Sequence, residues 1–355
     1  MNQVTSKTIT AIRFPMMVFV VILHTFIIDR PISGVIYVPR GKFGGFDIFQ
    51  QLIQNEICTV AVPMFFFLSG FLFFNGIQSF DIKQFQIKLK KRFFSLFIPY
   101  MLWNIIFLFF VCMVGFFYPA LLTYKKTIFQ MSIFEILFTF WESSQGLLPL
   151  WFLRDLMIVN LCSPIIYLML RSKHSKVFLF VFAMLYIIPT KVHFVPGIGM
   201  RCAFPYMFGA WFSINNKDFI AFFKKYSLLW LILSVLLIVA CFVVWNYHNY
   251  IFIIDKAKDL SLVISFLLLV AFVVKKHIIL VSPLLADASF FVFVFHMFII
   301  HIPLKLWIYI FPVNGWTASL CLILIPLVIS YTCVLVYIFF KRQIPYVSNL
   351  LMGKR

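Results

Sequence analysis

Long apolar runs alternate along the chain with short polar or basic segments. Several runs reach the roughly 17–25 residues that a helix needs to cross a bilayer, and few charged residues interrupt them. The pattern predicts an all-α fold, a polytopic membrane helix bundle of about ten transmembrane helices in a single domain over residues 1–355. The predicted spans are Ala11–Ile28, Ile57–Ile77, Phe93–Tyr118, Leu150–Leu170, Val177–Pro189, Cys202–Ile214, Leu228–Tyr247, Leu260–Val274, Pro283–Ile302 and Thr317–Phe340.

Four segments depart from a simple span. Pro63 and Gly70 predict a kink or break in the second span. Asp29–Glu56 contains several glycines and reads as a loop, whereas Ser79–Arg92 alternates basic and apolar residues and is typical of an amphipathic segment at the membrane surface. Pro119–Pro149 is apolar in places and is interpreted as an interfacial or re-entrant helix.

Composition identifies the class of protein. Hydrophobic residues make up 63% of the chain and charged residues only 12%, against about 25% charged in soluble domains. The chain is therefore an integral membrane protein. No small-residue cleavage motif follows the first apolar run, so we expect it to be a retained span. The seven cysteines are scattered singly without metal-ligand spacing, and we expect no bound metal.

The basic residues behind the net charge of +19 are distributed unevenly among the predicted loops. If the ten spans alternate, 19 of the 30 Lys and Arg residues fall on the side that holds both termini. Positive charge concentrates on the cytoplasmic side of membrane proteins. We therefore expect both termini to be cytoplasmic. This placement of the loops explains the basic excess, so we expect contact with membrane lipids and no nucleic-acid partner.

The first span carries Arg13 and His24 within its apolar run. Eleven residues of helix separate them by about 16 Å and return to nearly the same direction, so both lie on one face. Ionisable groups inside a span are candidates for function. The alternatives are a snorkelling anchor for Arg13 and a structural histidine for His24, and Pro15 allows Arg13 to lie at the helix start.

Other polar residues extend this candidate site. Lys90, Lys91 and Arg92 belong to a basic cluster that is either a topology signal and lipid contact or a docking site for a polyphosphate. A polar pocket is predicted from side chains in the other spans, although His296 and the Arg154–Asp155 pair have structural alternatives. Its members are Ser69, Arg154, Asp155, Ser289 and His296.

The order of these motifs resembles the acyltransferase 3 family of membrane O-acyltransferases. The resemblance rests on Arg13 and His24 with ten residues between them, and on VPMFFFLSGFLFF, KKRFFSLFIPYMLW and SFFVFVFHMFIIH. WFLRDLMI and the C-terminal PYVSNLLMGKR also resemble bacterial surface-polysaccharide members. One departure is that the family often has two arginines three residues apart before the third span, where this chain has Arg92 and Ser95.

The resemblance implies transfer of an acyl group, usually acetyl, from cytoplasmic acyl-CoA to a hydroxyl of an extracytoplasmic glycan in the bacterial cytoplasmic membrane. Acyl-CoA is then a co-substrate, and no bound cofactor is expected. Arg13, Lys90, Lys91 and Arg92 would bind the CoA polyanion. His24 would be the general base for the hydroxyl, or a transient acyl carrier.

Two other classes remain open from the sequence. A transporter or flippase of lipid-linked glycans would also have many spans, broken helices and buried charges. Paired halves are common in transporters, but no internal repeat is visible in this chain. A non-catalytic membrane scaffold would leave the shared face of Arg13 and His24 unexplained.

Overall fold

The computed structural model describes residues 1–32, 35–117, 130–141, 147–188, 200–244 and 248–354. The described chain is almost entirely helical, as predicted, with one antiparallel pair of two-residue strands, β1 (Pro31–Ile32) and β2 (Val35–Ile36). The α-helices are α1 Gln3–His24, α2 Gly44–Gln50, α3 Ala61–Phe74, α4 Ile82–Arg92, α5 Ile98–Phe117, α6 Ile133–Trp141, α7 Trp151–Leu161, α8 Ser163–Arg171, α9 Ser175–Ile187, α10 Met200–Ile214, α11 Phe219–Lys224, α12 Ser227–Val243, α13 His248–Lys275, α14 Pro283–Ile299, α15 His301–Ile310, α16 Gly315–Gln343 and α17 Pro345–Leu351.

Five helical stretches in the described residues are long and apolar enough to cross a membrane. Two bent helix pairs, α7 with α8 and α14 with α15, raise the number to seven if each pair is one span. Helices α9 and α12 are apolar but shorter. Each of the ten predicted spans overlaps at least one of the helices above, and the polytopic bundle is confirmed. The number ten stays a prediction.

Helix α1 lies inside the bundle, where it packs against α3, α13, α14 and α16. It begins at Gln3, capped by Asn2, and not at Ala11, so Arg13 lies within the helix and not at its start. Pro15 is accommodated inside α1. At the other end, Gln54 donates to the carbonyls of Ile22 and Thr25 at 2.6 and 2.9 Å. These bonds fix the last turn, which ends at His24.

The segment predicted as a loop before the second span becomes helical in its second half, from Gly44 onward. Helix α2 runs directly into a π-helical stretch, Gln51–Ile57, and a 3₁₀ turn, Cys58–Val60, before α3 begins. The irregular winding therefore precedes Pro63, while α3 continues unbroken through Pro63 and Gly70. The predicted break was misplaced because proline near a helix start costs no hydrogen bond.

Gly70 has a packing role instead of breaking the helix. A Cβ atom at Gly70 would overlap the Tyr206 carbonyl of α10, and one at Gly209 would overlap the Phe67 carbonyl of α3. The two helices thus meet backbone to backbone through a reciprocal pair of glycines. Small residues permit this close approach in membrane helix packing.

Two of the predicted spans are bent. The fourth predicted span turns by 60° at Cys162 between α7 and α8, and the ninth turns by 55° between α14 and α15. Pro164 and Pro303 follow these bends within the first turn of the next helix, where proline is tolerated. The eighth span was predicted too short, because α13 already begins at His248.

The chain surface is apolar over long stretches. On α12, leucine, isoleucine and valine side chains are exposed along nearly the whole helix, and α5 exposes Phe109, Phe116 and Phe117. Soluble monomers rarely expose such large apolar areas. This surface therefore fits contact with lipid acyl chains.

An ionic cluster is buried between α13 and the π-helical stretch. The Lys258 side chain is fully buried, and its Nζ lies 2.8 Å from Glu56 Oε2 and 2.7 Å from Asp255 Oδ1. Asp259 Oδ1 accepts from Thr59 at 2.9 Å, and Lys256 lies 3.2 Å from Asp259 Oδ2. Each buried charge in this cluster has an oppositely charged neighbour, as burial requires.

Helix α4 was correctly predicted as amphipathic. Its Phe85 is fully buried, whereas Lys90 and Lys91 are exposed. Lys88 is turned toward α3 and donates to the carbonyls of Phe73 and Asn75 at 2.6 and 2.8 Å. The helix is therefore attached to the bundle at the end of α3. Of the region predicted as interfacial or re-entrant, the structure describes α6 and the turn before α7, while residues 118–129 and 142–146 lie outside the described residues.

Candidate active site

A cavity of about 280 Å³ lies between α1, α3, α7 and α14. Five residues that the sequence singled out line it, although they come from distant parts of the chain: Arg13, His24, Ser69, Arg92 and Ser289. The rest of its wall is mainly aliphatic and aromatic, with Phe65, Phe152 and Phe293 among the contributors. Such a cavity, apolar with a few convergent polar groups, is the usual form of a small-molecule site.

Two guanidinium groups reach this cavity. Arg13 comes from the middle of α1, and Arg92 from the last residue of α4. Among the described residues, neither forms an ion pair or a side-chain hydrogen bond, although Arg92 lies over the Phe73 ring at 5.9 Å. Asp287 is the acidic group that acts on Arg13, but its carboxylate is bound by Lys354 at 2.9 Å. Two cations without counter-ions form a site for an anion.

His24 is the imidazole of the cavity wall. Its Nδ1 lies 2.8 Å from the Val20 carbonyl oxygen, one turn earlier in α1. A carbonyl can only accept, so Nδ1 carries the proton of the neutral ring and Nε2 keeps its lone pair. The His24 ring lies half-buried at the end of the helix. His24 therefore has the tautomer that a general base requires.

His296 lies next to His24 but does not line the cavity. The ring centroids are 5.2 Å apart and the rings are inclined by 59°. His296 is fully buried on α14, with its Nδ1 2.9 Å from the Val292 carbonyl oxygen. Its Nε2 has no hydrogen-bond partner among the described residues. The two imidazoles thus form a pair in which only His24 reaches the cavity.

Other predicted site residues lie elsewhere. Lys90 and Lys91 are exposed on α4 and do not line the cavity. Arg154 and Asp155 are buried and pair with each other at 2.9 Å, and Arg154 also donates to the Trp141 carbonyl. Arg154 contributes to a second cavity of about 410 Å³, which Arg92 also lines. Arg92 is therefore common to both cavities, while Arg154 is neutralised by its neighbour.

Sequence reasoning missed several residues that build the site. Gln54 holds the end of α1, and the phenylalanines of α3, α7 and α14 form the apolar wall. A lone glutamine ahead of an apolar span is a weak signal for a helix cap. The phenylalanines give no signal, because aromatic residues make up 20% of the chain.

One group of potential metal ligands occurs among the described residues. Ligand atoms of Glu56, Cys241 and Asp255 lie within 4.8 Å of one another. The Lys258 ammonium already contacts both of these carboxylates. A resident cation thus neutralises the cluster, and we assign no metal to it.

Comparison of the chain with known proteins identifies its family. A family model described as an acyltransferase domain, that of the acyltransferase 3 family, matches residues 7–335. No curated protein and no solved structure matches the chain. The matched region covers nearly the whole sequence and includes Arg13, His24, Arg92 and Ser289. The chain belongs to the acyltransferase 3 family, and it is a membrane acyltransferase.

Proposed function

We propose that the protein transfers an acyl group, usually acetyl, from cytoplasmic acyl-CoA to a hydroxyl group of an extracytoplasmic glycan. The observation that carries this proposal is the cavity between α1, α3, α7 and α14. It combines two guanidiniums without described counter-ions and an imidazole whose Nδ1 is bonded to the Val20 carbonyl, which leaves the Nε2 lone pair for a substrate. The cations suit a polyanionic donor, and the imidazole suits a weak hydroxyl nucleophile.

The donor enters from the side that holds the basic cluster. Lys90 and Lys91 are exposed there and attract the phosphates, while Arg92 and Arg13 are the cations inside the cavity. Residues 13 and 24 are separated by about 16 Å along α1. An extended pantetheine arm is long enough to cover much of that distance, which would bring the thioester toward His24.

The acyl transfer itself then requires one general base. The acceptor hydroxyl loses its proton to Nε2 of His24 as its oxygen bonds to the acyl carbon and the carbon–sulfur bond breaks. The proton passes to the departing CoA thiolate, so the products are the O-acyl glycan and free CoA. The apolar wall formed by Phe65, Phe152 and Phe293 would limit water, which otherwise hydrolyses the thioester.

The side of the membrane from which the acceptor binds is inferred from the predicted topology. With both termini in the cytoplasm, His24 lies toward the outer half of the bilayer and Arg13 toward the inner half. This arrangement lets a cytoplasmic donor and an extracytoplasmic acceptor meet within one protein. The cell membrane that separates acyl-CoA from a surface glycan in bacteria is the cytoplasmic membrane, which is the proposed location.

The experiment that tests the function has two parts. Proteoliposomes with labelled acetyl-CoA should release CoA and label an added glycan, and mass spectrometry of the surface glycan should show one acyl group fewer per site without the gene. A protein that neither consumes acyl-CoA nor changes the glycan mass contradicts the proposal. Movement of a lipid-linked glycan without consumption of acyl-CoA would support the flippase alternative.

A further inference from the structure

The second cavity, of about 410 Å³, has no part in the proposed acyl transfer. It lies between the end of α4, the start of α5, α6 and α7, and apolar side chains form most of its wall. Two of them, Leu137 of α6 and Leu161 of α7, are also 60% and 67% exposed on the apolar surface of the bundle. The cavity therefore opens sideways toward lipid, and an apolar chain can enter it from the bilayer.

Helix α6 forms one wall of this cavity and is attached by its last two residues. The Tyr100 hydroxyl donates to the Phe140 carbonyl, and Arg154 donates to the Trp141 carbonyl. Arg154 also pairs with Asp155 at 2.9 Å. Tyr100 and Arg154 are thus bound by the protein itself, and they hold α6 in place without serving a ligand.

Two other polar groups of the wall are differently placed. The Arg92 guanidinium has no ion pair or hydrogen bond among the described residues. Asn160 is only 2% exposed, and its side-chain oxygen accepts from the Tyr206 hydroxyl at 2.8 Å. The Nδ2 atom of Asn160 has no partner in the described part of the chain. A buried donor without an acceptor costs stability, so both groups are suited to bind an oxygen of a ligand.

The charge around the cavity distinguishes among lipid head groups. Lys90 and Lys91 are exposed next to Arg92, and none of the described residues that line the cavity is acidic. These cations attract a phosphate and repel the ammonium group of a zwitterionic lipid. On the predicted topology α4 lies on the cytoplasmic side, and basic clusters there bind anionic lipids.

We propose that the second cavity is a binding site for one anionic phospholipid of the cytoplasmic leaflet. Arg92 binds its phosphate, and the Asn160 amide donates to a phosphate or ester oxygen. One acyl chain of the lipid fills the apolar space between α5, α6 and α7. The lipid is a bound ligand and not a substrate. The site requires neither acyl-CoA nor His24, so it can be tested separately from the proposed acyl transfer.

Native mass spectrometry of the full-length protein, without acyl-CoA, tests this site. The protein is extracted from vesicles that contain equal amounts of phosphatidylglycerol and phosphatidylcholine, and the lipid that remains bound is counted. We expect one phosphatidylglycerol per wild-type protein. Arg92→Gln should lower its retention about tenfold or more and remove the preference over phosphatidylcholine, because a charge-assisted contact is lost.

A matched pair of variants tests the position of the acyl chain. Ile158→Phe adds volume inside the cavity and should lower the retention of both lipids. The control is Ile165→Phe, which makes the same change at an exposed position of α8 that lines neither cavity. Phosphatidylglycerol with a photoreactive group in its acyl chain should label α6 or α7 in the wild type and in Ile165→Phe, and much less in Ile158→Phe.

Three outcomes would overturn the proposal. The first is equal lipid retention and equal labelling in Ile158→Phe and Ile165→Phe, and the second is labelling confined to other helices. The third is labelling of α6 or α7 by a long-chain acyl-CoA that phosphatidylglycerol does not displace, which would assign the cavity to a donor acyl chain. If Ile158→Phe does not fold, Asn160→Leu, which has a side chain of similar size, decides by the same two measurements.

Discussion

Each basic side chain near the proposed donor site has a different environment. Lys88 donates to two carbonyls at the C-terminal end of α3, Lys90 and Lys91 are exposed, and Arg92 lines the cavity with Arg13. The sequence indicated the cluster but not which member points inward. The π-helical stretch Phe93–Phe97, which directly follows Arg92, departs from the 3.6-residue period. Face assignments by simple periodicity are therefore unreliable at this position.

The first prediction separates the inner cations from the outer ones. Arg92→Gln should raise KM for acyl-CoA about tenfold or more, because it removes a charge-assisted contact in a desolvated site. The double variant Lys90→Gln/Lys91→Gln should change it less than about threefold at physiological salt, since exposed charges are screened. Steady-state kinetics at two ionic strengths provide the measurement, and a larger effect of the double variant would contradict the assignment.

His24 carries the second prediction. His24→Ala should lower the transfer rate about 10²–10⁴-fold, the usual loss for a general base, with normal expression and membrane insertion. Arg13→Ala should also lose activity, because acyl-CoA binding is weakened. Arg13→Lys should recover part of the activity if charge alone matters. His301→Ala is the matched control. Residual activity within tenfold of wild type in His24→Ala would refute its role.

Among the helices, the α3–α10 pair departs most clearly from expectation. Pro63 and Gly70 predicted a kink, yet α3 is continuous, and its glycine serves the contact with Tyr206. The positions of the helices could be predicted because long apolar runs leave few alternatives. The bends at Cys162 and after Ile299 could not, because they depend on neighbours that are distant in sequence.

A third prediction tests the backbone contact. Gly70→Ala should lower the melting temperature in detergent, because its methyl group would overlap the Tyr206 carbonyl and force α3 and α10 apart. Overpacking of this kind costs about 1–3 kcal/mol or more. Gly45→Ala is the control, since a Cβ there meets nothing within 4 Å. Equal melting temperatures for the two variants would show that the helices are not in close contact.

For the molecule as a whole, the sequence identified the class, the family and five residues of the cavity wall. Arg13 and His24 could be identified because ionisable groups inside apolar spans are rare and therefore informative. The cavity itself could not be predicted, since its walls come from residues as distant as Arg13 and Phe293. The separation of Arg154 from the cavity was equally hidden, because Asp155 beside it is as compatible with a pocket as with an ion pair.

The fourth prediction concerns orientation in the membrane. Reporter fusions at Lys42 and at Lys225 should report opposite sides, with Lys225 in the cytoplasm, because the basic residues concentrate in the loops of that side. Fusions at both chain ends should also report the cytoplasm. Agreement between Lys42 and Lys225 would contradict the ten-span topology.

The ion pair between Glu56 and Lys258 also has a consequence for biosynthesis. Its partners are 202 residues apart in the chain, and ribosomes add about 5–20 residues per second. The helix with Glu56 must then wait roughly 10–40 s before Lys258 is made. A lone charge is costly within lipid. Until Lys258 has been synthesised, the helix that contains Glu56 must therefore stay in the insertion machinery or at a hydrated protein surface.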